Sequence, residues 1–368
     1  MGLHIEQVNR FNNISNKNEV SVIKAALPEI TEEYVVSPFD NVIELPTQKR
    51  PSTIDILKLQ PLSDFISAYS GDLLPVLDEQ YELLEILGSG GMANVFKVKK
   101  NGSYYALKLL KDEFLDEKRL SRFKNEIDFM KRFNSHSNIL SIVDSGNYMG
   151  RPCIVEEFAD GKTLHEAIKT IHPHKLLEYI IQISKALSFI HKKGYIHRDL
   201  KPENIFLAGG IAKLGDFGVV KIINAMNAED NITSDGIVLG TLGYISPEEA
   251  KQALEPSDNF IQTFQADLYS IGVILYEGLT GQLPIQIKKN DNEQINVITS
   301  LRKISMLQPK PLCELNSNIN PCLANTIMML LKKDPQERSE SFKDAEAVAE
   351  TLTKHLENKQ IVIEDKAA

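Results

Sequence analysis

His197-Arg198-Asp199-Leu200-Lys201-Pro202-Glu203-Asn204 is the stretch on which the reading of this 368-residue chain turns, and Asp216-Phe217-Gly218 follows it after one short hairpin. Upstream lies Gly88-Ser89-Gly90-Gly91-Met92-Ala93-Asn94-Val95, set between two predicted strands. A glycine loop that opens a helix suits a dinucleotide or a Walker-type phosphate site, whereas one inside a hairpin can fold its backbone N–H groups over a triphosphate. Taken alone, the stretch also reads as a glycine hairpin with no ligand, and Ala93 stands where a third glycine is usual. Ala106-Leu107-Lys108 then puts an ammonium on an otherwise apolar strand. Buried, that group needs an anion, because leaving it unpaired costs on the order of several kcal/mol in lost hydration. Glu126 is the candidate partner, and a lysine turned to solvent is the other reading.

The pattern around these stretches predicts strands over Tyr81–Leu87, Val95–Val98 and Tyr104–Leu110. Phe123, Ile127, Met130 and Phe133 then recur at helical spacing. Beyond Gly161 the chain turns mainly helical: Leu177, Ile180, Ile183, Leu187 and Ile190 mark one helix, and Phe342, Ala345, Ala349, Leu352 and Leu356 a last one. The expected class is α+β, a strand-rich small lobe with one main helix followed by a helical large lobe. Residues 1 to 78 carry no legible chemistry. Within them Thr53 to Tyr69 reads either as short amphipathic helices around Pro61 or as a linker.

The two stretches quoted first resemble the catalytic and metal-binding loops of the protein kinase superfamily at every defining position. The likeness runs from about Tyr81 to Glu357, roughly three quarters of the chain, and its wording is most similar to the eukaryotic-like Ser/Thr kinases of bacteria. It implies a bilobal fold divided into an extension over 1–78, a small lobe over 79–158, a large lobe over 159–358 and a tail over 359–368. It also implies ATP with Mg2+ (Mn2+ an alternative), and a protein substrate. Lys108 would contact the α and β phosphates and be oriented by Glu126. Asn204 and Asp216 would hold the metal, whose hard-oxygen preference suits an amide carbonyl and a carboxylate. Asp199 would accept the proton of the substrate hydroxyl, and Lys201 would steady the transferring phosphate.

By the same resemblance Leu87, Gly88, Ser89, Gly90, Gly91, Val95, Ala106 and Phe206 would surround the nucleotide, with backbone groups of Glu157 and Ala159 taking the adenine. Lys201, and Thr241 in Gly240-Thr241-Leu242-Gly243-Tyr244-Ile245-Ser246-Pro247-Glu248, favour Ser or Thr as the acceptor. Glu248 is suited to pair with Arg338, and Asp267 opens the apolar helix Leu268–Leu279. An arginine before the catalytic aspartate, here Arg198, marks kinases whose activation loop binds a phosphate. Thr233 and Ser234 are the candidate acceptors, with Asp235 a fixed negative charge nearby. Glu156 departs from the family pattern, since it takes the gatekeeper position where an apolar or small residue is usual; a buried carboxylate there needs a partner or a raised pKa.

Composition fits this picture. With 42% hydrophobic and 25% charged residues the chain has ample core material. A net charge of -9 argues against a nucleic-acid partner held by phosphate contacts. Cys153, Cys313 and Cys322 lack zinc or dithiol spacing, the N-terminus shows no signal peptide, and no apolar run approaches the roughly 18 residues of a membrane span. Glu6 occupies the position where N-myristoylation wants Ser or Thr. A cytoplasmic enzyme is expected, delivery into another cell is equally compatible, and autophosphorylation would bring self-association. The alternatives are a pseudokinase scaffold and a small-molecule kinase of the antibiotic or choline type. The first is opposed by the complete set Lys108, Glu126, Asp199, Asn204 and Asp216, the second by Lys201 and Ser246-Pro247-Glu248.

Overall fold

The computed structural model describes Leu77 and residues 80–89, 93–111, 117–148, 151–217, 221–222, 241–257, 260, 262–287, 297–359 and 361. Gly90, Gly91, Gly218, Thr233, Ser234, Asp235 and the segment Thr53–Tyr69 lie outside the described residues, as does the side chain of Thr241.

The three strand-like runs form β1 (Glu82–Ser89), β2 (Ala93–Lys100) and β3 (Ser103–Leu110). With β4 (Ile142–Tyr148) and β5 (Arg151–Glu157) they build an antiparallel sheet of order β1-β2-β3-β5-β4. Side chains alternate across a strand. One face of this sheet therefore buries Phe96, Val98, Leu107, Leu109, Cys153 and Val155 together with Leu77 and Tyr81. The other face carries the cross-strand set Val95, Lys108 and Ile154, with Ala106 opposite Glu156. The helix expected after β3 is α1 (Glu117–Phe133), whose apolar stripe of Phe123, Ile127, Met130 and Phe133 is buried.

The second part is mainly helical. After α2 (Leu164–Ala167), the stripe Leu177, Ile180, Ile183, Leu187 and Ile190 forms the fully buried face of α3 (Pro173–His191). Pro173 starts that helix, where a missing N–H is harmless, and the His172 ring caps it by accepting the His174 N–H at 3.3 Å. Short strands follow: β6 (Tyr195–Ile196), the hairpin of β7 (Ile205–Ala208) and β8 (Ile211–Leu214), and β9 (Lys221–Ile222), which pairs with β6. The remaining helices are α4 (Pro247–Leu254), α5 (Gln265–Thr280), α6 (Val297–Met306), α7 (Leu312–Leu315), α8 (Pro321–Leu330), α9 (Pro335–Ser341) and α10 (Ala345–Glu357).

Helix α5 matches the expected apolar helix and is buried along nearly its whole length. α10 matches the last one, except that Phe342 caps the end of α9 instead of belonging to it. Glu248 pairs with the fully buried Arg338 as expected, and Arg338 also donates to the Lys332 carbonyl at 2.8 Å. Ile361 is buried in the main core, and its carbonyl accepts the Asn320 N–H at 3.0 Å, so packing continues past α10. No helix among the described residues is long and apolar enough to cross a membrane.

Candidate active site

The sheet and the helical part meet around Lys108. Its ammonium donates to Glu126 Oε1 of α1 at 2.6 Å and to Asp216 Oδ1 at 3.2 Å. Burial pushes the Lys108 ammonium down, but the carboxylates of Asp216, Glu126 and Glu156 outweigh it and hold it well above the usual lysine range. Lys108 also holds Asp216 below the usual carboxylate range, while burial raises Glu126 even with Lys108 beside it. The strand lysine is therefore paired and charged, not turned to solvent.

Asp216 reaches this point because its backbone turns into the left-handed region at φ +58, which is uncommon for a residue with a side chain. The turn drives Phe217 inward. That ring is 1% exposed, 4.8 Å from Phe129 of α1 and 5.2 Å from His197, and Phe129 stacks on Phe133 at 4.3 Å. These aromatic contacts tie the position of Asp216 to that of the helix carrying Glu126.

Asp199 sits on the segment between β6 and β7. Its Oδ2 accepts from Lys201 at 2.7 Å and from the Asn204 amide at 3.1 Å. Its Oδ1 is buried and accepts no hydrogen bond from any described residue. Asn204 also donates to the Asp199 carbonyl at 2.8 Å, which commits its NH2 group to that loop and leaves its carbonyl oxygen as the atom able to ligate a cation. The backbone is fixed from below by Asp267, 1% exposed, whose carboxylate accepts the N–H groups of His197 and Arg198 at 2.9 Å each. His191 Nε2 lies 2.7 Å from the same carboxylate. Burial would raise Asp267, yet these hydrogen bonds keep it below the usual range. Arg198, like Asp216, has positive φ, +71.

Val95, Ala106 and Phe206 are half-buried, and Leu87 is exposed. Gly88 lies opposite Val95, and Ser89 donates to Asn94 at 2.8 Å across the β1–β2 hairpin. The Glu157 N–H is taken by the Ser141 carbonyl at 2.9 Å and its side chain by Lys213 at 2.7 Å, which fixes the crossing from β5 into the helical part. Four residues on, Gly161 passes so close to β7 that a Cβ there would lie 1.5 Å from the Leu207 carbonyl oxygen. Thr241 opens a 3-10 turn, Thr241–Tyr244. A cavity of about 470 Å³ lined by Glu248, Lys251, Lys333 and Asp334, among others, contains none of the residues just described.

The donor set suits a hard divalent cation held jointly with a phosphate-bearing ligand. Asp216 and Asn204 offer one carboxylate and one amide oxygen, and no cluster of three or more His, Cys, Asp or Glu able to cage a metal occurs among the described residues. Few protein ligands plus ligand phosphates is how Mg2+ is commonly held. Two anchors escaped sequence reasoning. Asp267 was read only as the start of a helix, and Gly161 was not singled out.

The protein kinase domain model matches residues 81–355. A probable serine/threonine-protein kinase of Clostridium perfringens is 33% identical over 300 residues, 80% of this chain and 41% of that protein. PrkC of Bacillus subtilis, a serine/threonine-protein kinase, is 31% identical over 295 residues, 78% of this chain and 43% of its own. The probable serine/threonine-protein kinase PknB of Lactococcus lactis is 32% identical over 271 residues, 72% and 40%. The chain thus spans about two fifths of the length of these relatives. Five antiparallel strands, a helical second part and a family match over residues 81–355 agree, and the chain belongs to the protein kinase domain family.

Proposed function

We propose that this protein transfers the terminal phosphoryl group of ATP to serine or threonine hydroxyls of proteins, with Mg2+. The observation that carries the reading is the Asp199 carboxylate, held in one direction by Lys201 and by the Asn204 amide. A substrate hydroxyl donating to this carboxylate meets an acceptor whose direction is already set, and such positioning is most of what phosphoryl transfer asks of a protein. Asp199 then orients the hydroxyl and takes its proton, while Lys201 faces the charge on the transferring group.

Lys108, oriented by Glu126, holds the α and β phosphates. Asp216 and the Asn204 carbonyl would hold Mg2+, which when bound neutralises charge on the phosphate oxygens. Leu87, Gly88, Ser89, Gly90, Gly91, Val95, Ala106 and Phe206 surround the nucleotide, with the backbone of Glu157 and Ala159 on the base, and Thr241 supports the catalytic loop. Regulation is proposed at Thr233, through transient self-association. The domain bounds of the proposal are 1–78, 79–158, 159–358 and 359–368, and its site of action is the cytoplasm.

The test is transfer of labelled phosphate from Mg-ATP to the protein itself and to a generic basic protein, with Asp199→Asn alongside. Label on Ser or Thr that vanishes in the variant is expected; bound ATP with no transfer by the wild type would replace the kinase by a scaffold.

A further inference from the structure

Glu156 carries a carboxyl group on the same face of the sheet as Ile154. It is 9% exposed, and no hydrogen bond reaches it from any described residue. Lys108 cannot be its dedicated partner, since that ammonium is already engaged by Glu126 and Asp216. A buried, unpartnered polar group is costly to keep, and an apolar side chain would fill the place at no such penalty.

Its direction follows from the sheet register. Leu107, Leu109, Cys153 and Val155 point into the outer cluster, so the alternating residues Ala106, Lys108, Ile154 and Glu156 share the inner face. Glu156 is the direct cross-strand partner of Ala106, and Lys108 lies two residues further along β3, about 7 Å away. A ligand whose anionic end sits at Lys108 and Asp216, and whose uncharged end runs along this face of the sheet, passes Ala106, whose side chain is a single methyl. There it meets the Glu156 carboxyl. Burial pushes this carboxyl up to about 8, and both the acid and its carboxylate offer an acceptor oxygen.

We propose that Glu156 is a specificity-determining residue of the nucleotide site, its carboxyl oxygen accepting a hydrogen bond from the exocyclic 6-amino group of the purine. The assignment rests on the nucleotide reading given above. It makes the 6-amino group a requirement imposed by a side chain, in addition to whatever the backbone at Glu157 and Ala159 contributes.

The experiment is direct titration of the wild type, Glu156→Gln and Glu156→Met with the Mg2+ complexes of ATP and of purine riboside triphosphate, which lacks the 6-amino group. The wild type and the Gln variant, whose amide oxygen still accepts, keep the larger preference for ATP. In the Met variant that preference narrows about tenfold, one hydrogen bond to a polar buried group, with affinity for the deaminated nucleotide unchanged. An identical preference in wild type and Met variant overturns the assignment alone, provided the wild type transfers phosphate from ATP. Failure of the wild type to bind either nucleotide overturns the nucleotide reading, and this one with it.

Discussion

The carboxylate of Asp267 in α5 accepts the backbone N–H of Arg198, 69 residues earlier in the chain, at 2.9 Å. With the His197 N–H and the His191 ring on the same group, one buried side chain organises the backbone that presents Asp199. Asp267→Ala strands two N–H donors, one buried and one part-buried, and we expect a loss of about 3–5 kcal/mol in denaturant unfolding. A change below about 1 kcal/mol would mean that the loop holds its shape without this anchor.

Lys108 and Glu126 test the difference between folding and chemistry. Lys108→Met removes the charge proposed to face the phosphates, and phosphate transfer should fall by about 10²–10³-fold, the size seen when one preorganised electrostatic donor is lost. It also leaves Glu126, 3% exposed, without its cation. Adding Glu126→Gln should restore part of the stability and none of the activity, a non-additive pair that a double-mutant cycle in thermal unfolding will show.

Glu156 gives the protein a pH dependence of definite sign. Its carboxyl ordinarily titrates near 4.5 and is pushed up to about 8 by burial. Between those values the folded form carries the extra proton, so stability drains away as pH rises from about 4.5 and the full penalty is present above about 8. Glu156→Gln does not titrate. It should exceed the wild type in stability by a few kcal/mol at pH 9 and by far less at pH 4, as read from unfolding midpoints. Equal gaps at the two values would place the carboxyl in contact with water or a cation.

Gly161→Ala forces a methyl group onto the Leu207 carbonyl. Backbone cannot yield as a flexible side chain does, so β7 or the segment after β5 must move, at a penalty on the order of a few kcal/mol. A drop in melting temperature of several degrees is expected, with weakened nucleotide binding, because Phe206, proposed to line the nucleotide site, lies on the displaced strand. An unchanged melting temperature would show that this approach is loose in solution.

Thr233 should gain a phosphate when the protein is incubated with Mg-ATP, and Asp199→Asn should not gain it by itself. Intact mass followed by peptide mapping decides the matter. An active enzyme that leaves Thr233 unmodified removes this residue from its regulation.

Much of this was legible from local pattern. Strand-like runs located β1 to β3, and apolar spacing located α1, α3 and α10, because each signal lies within one element. The pairing of Lys108 with Glu126 followed from the charge needs of a lysine on an apolar strand. What stayed hidden depends on contacts between distant segments. Nothing near Asp267 in sequence shows that the N–H groups of His197 and Arg198 converge on it. Gly161 owes its importance to the backbone of Leu207 in β7, 46 positions further along the chain. The unpartnered state of Glu156 depends on which face of β5 turns inward and on two other carboxylates having already claimed Lys108.

That single ammonium joins positions 18 and 108 residues away along the chain. Neither the strand part nor the helical part holds the charged centre alone, so no fragment ending between Glu126 and Asp216 can assemble it. Nascent chains should stay catalytically silent until the segment bearing Asp216 has been made and packed, and a nick that lets the two parts separate should abolish transfer even with every side chain intact.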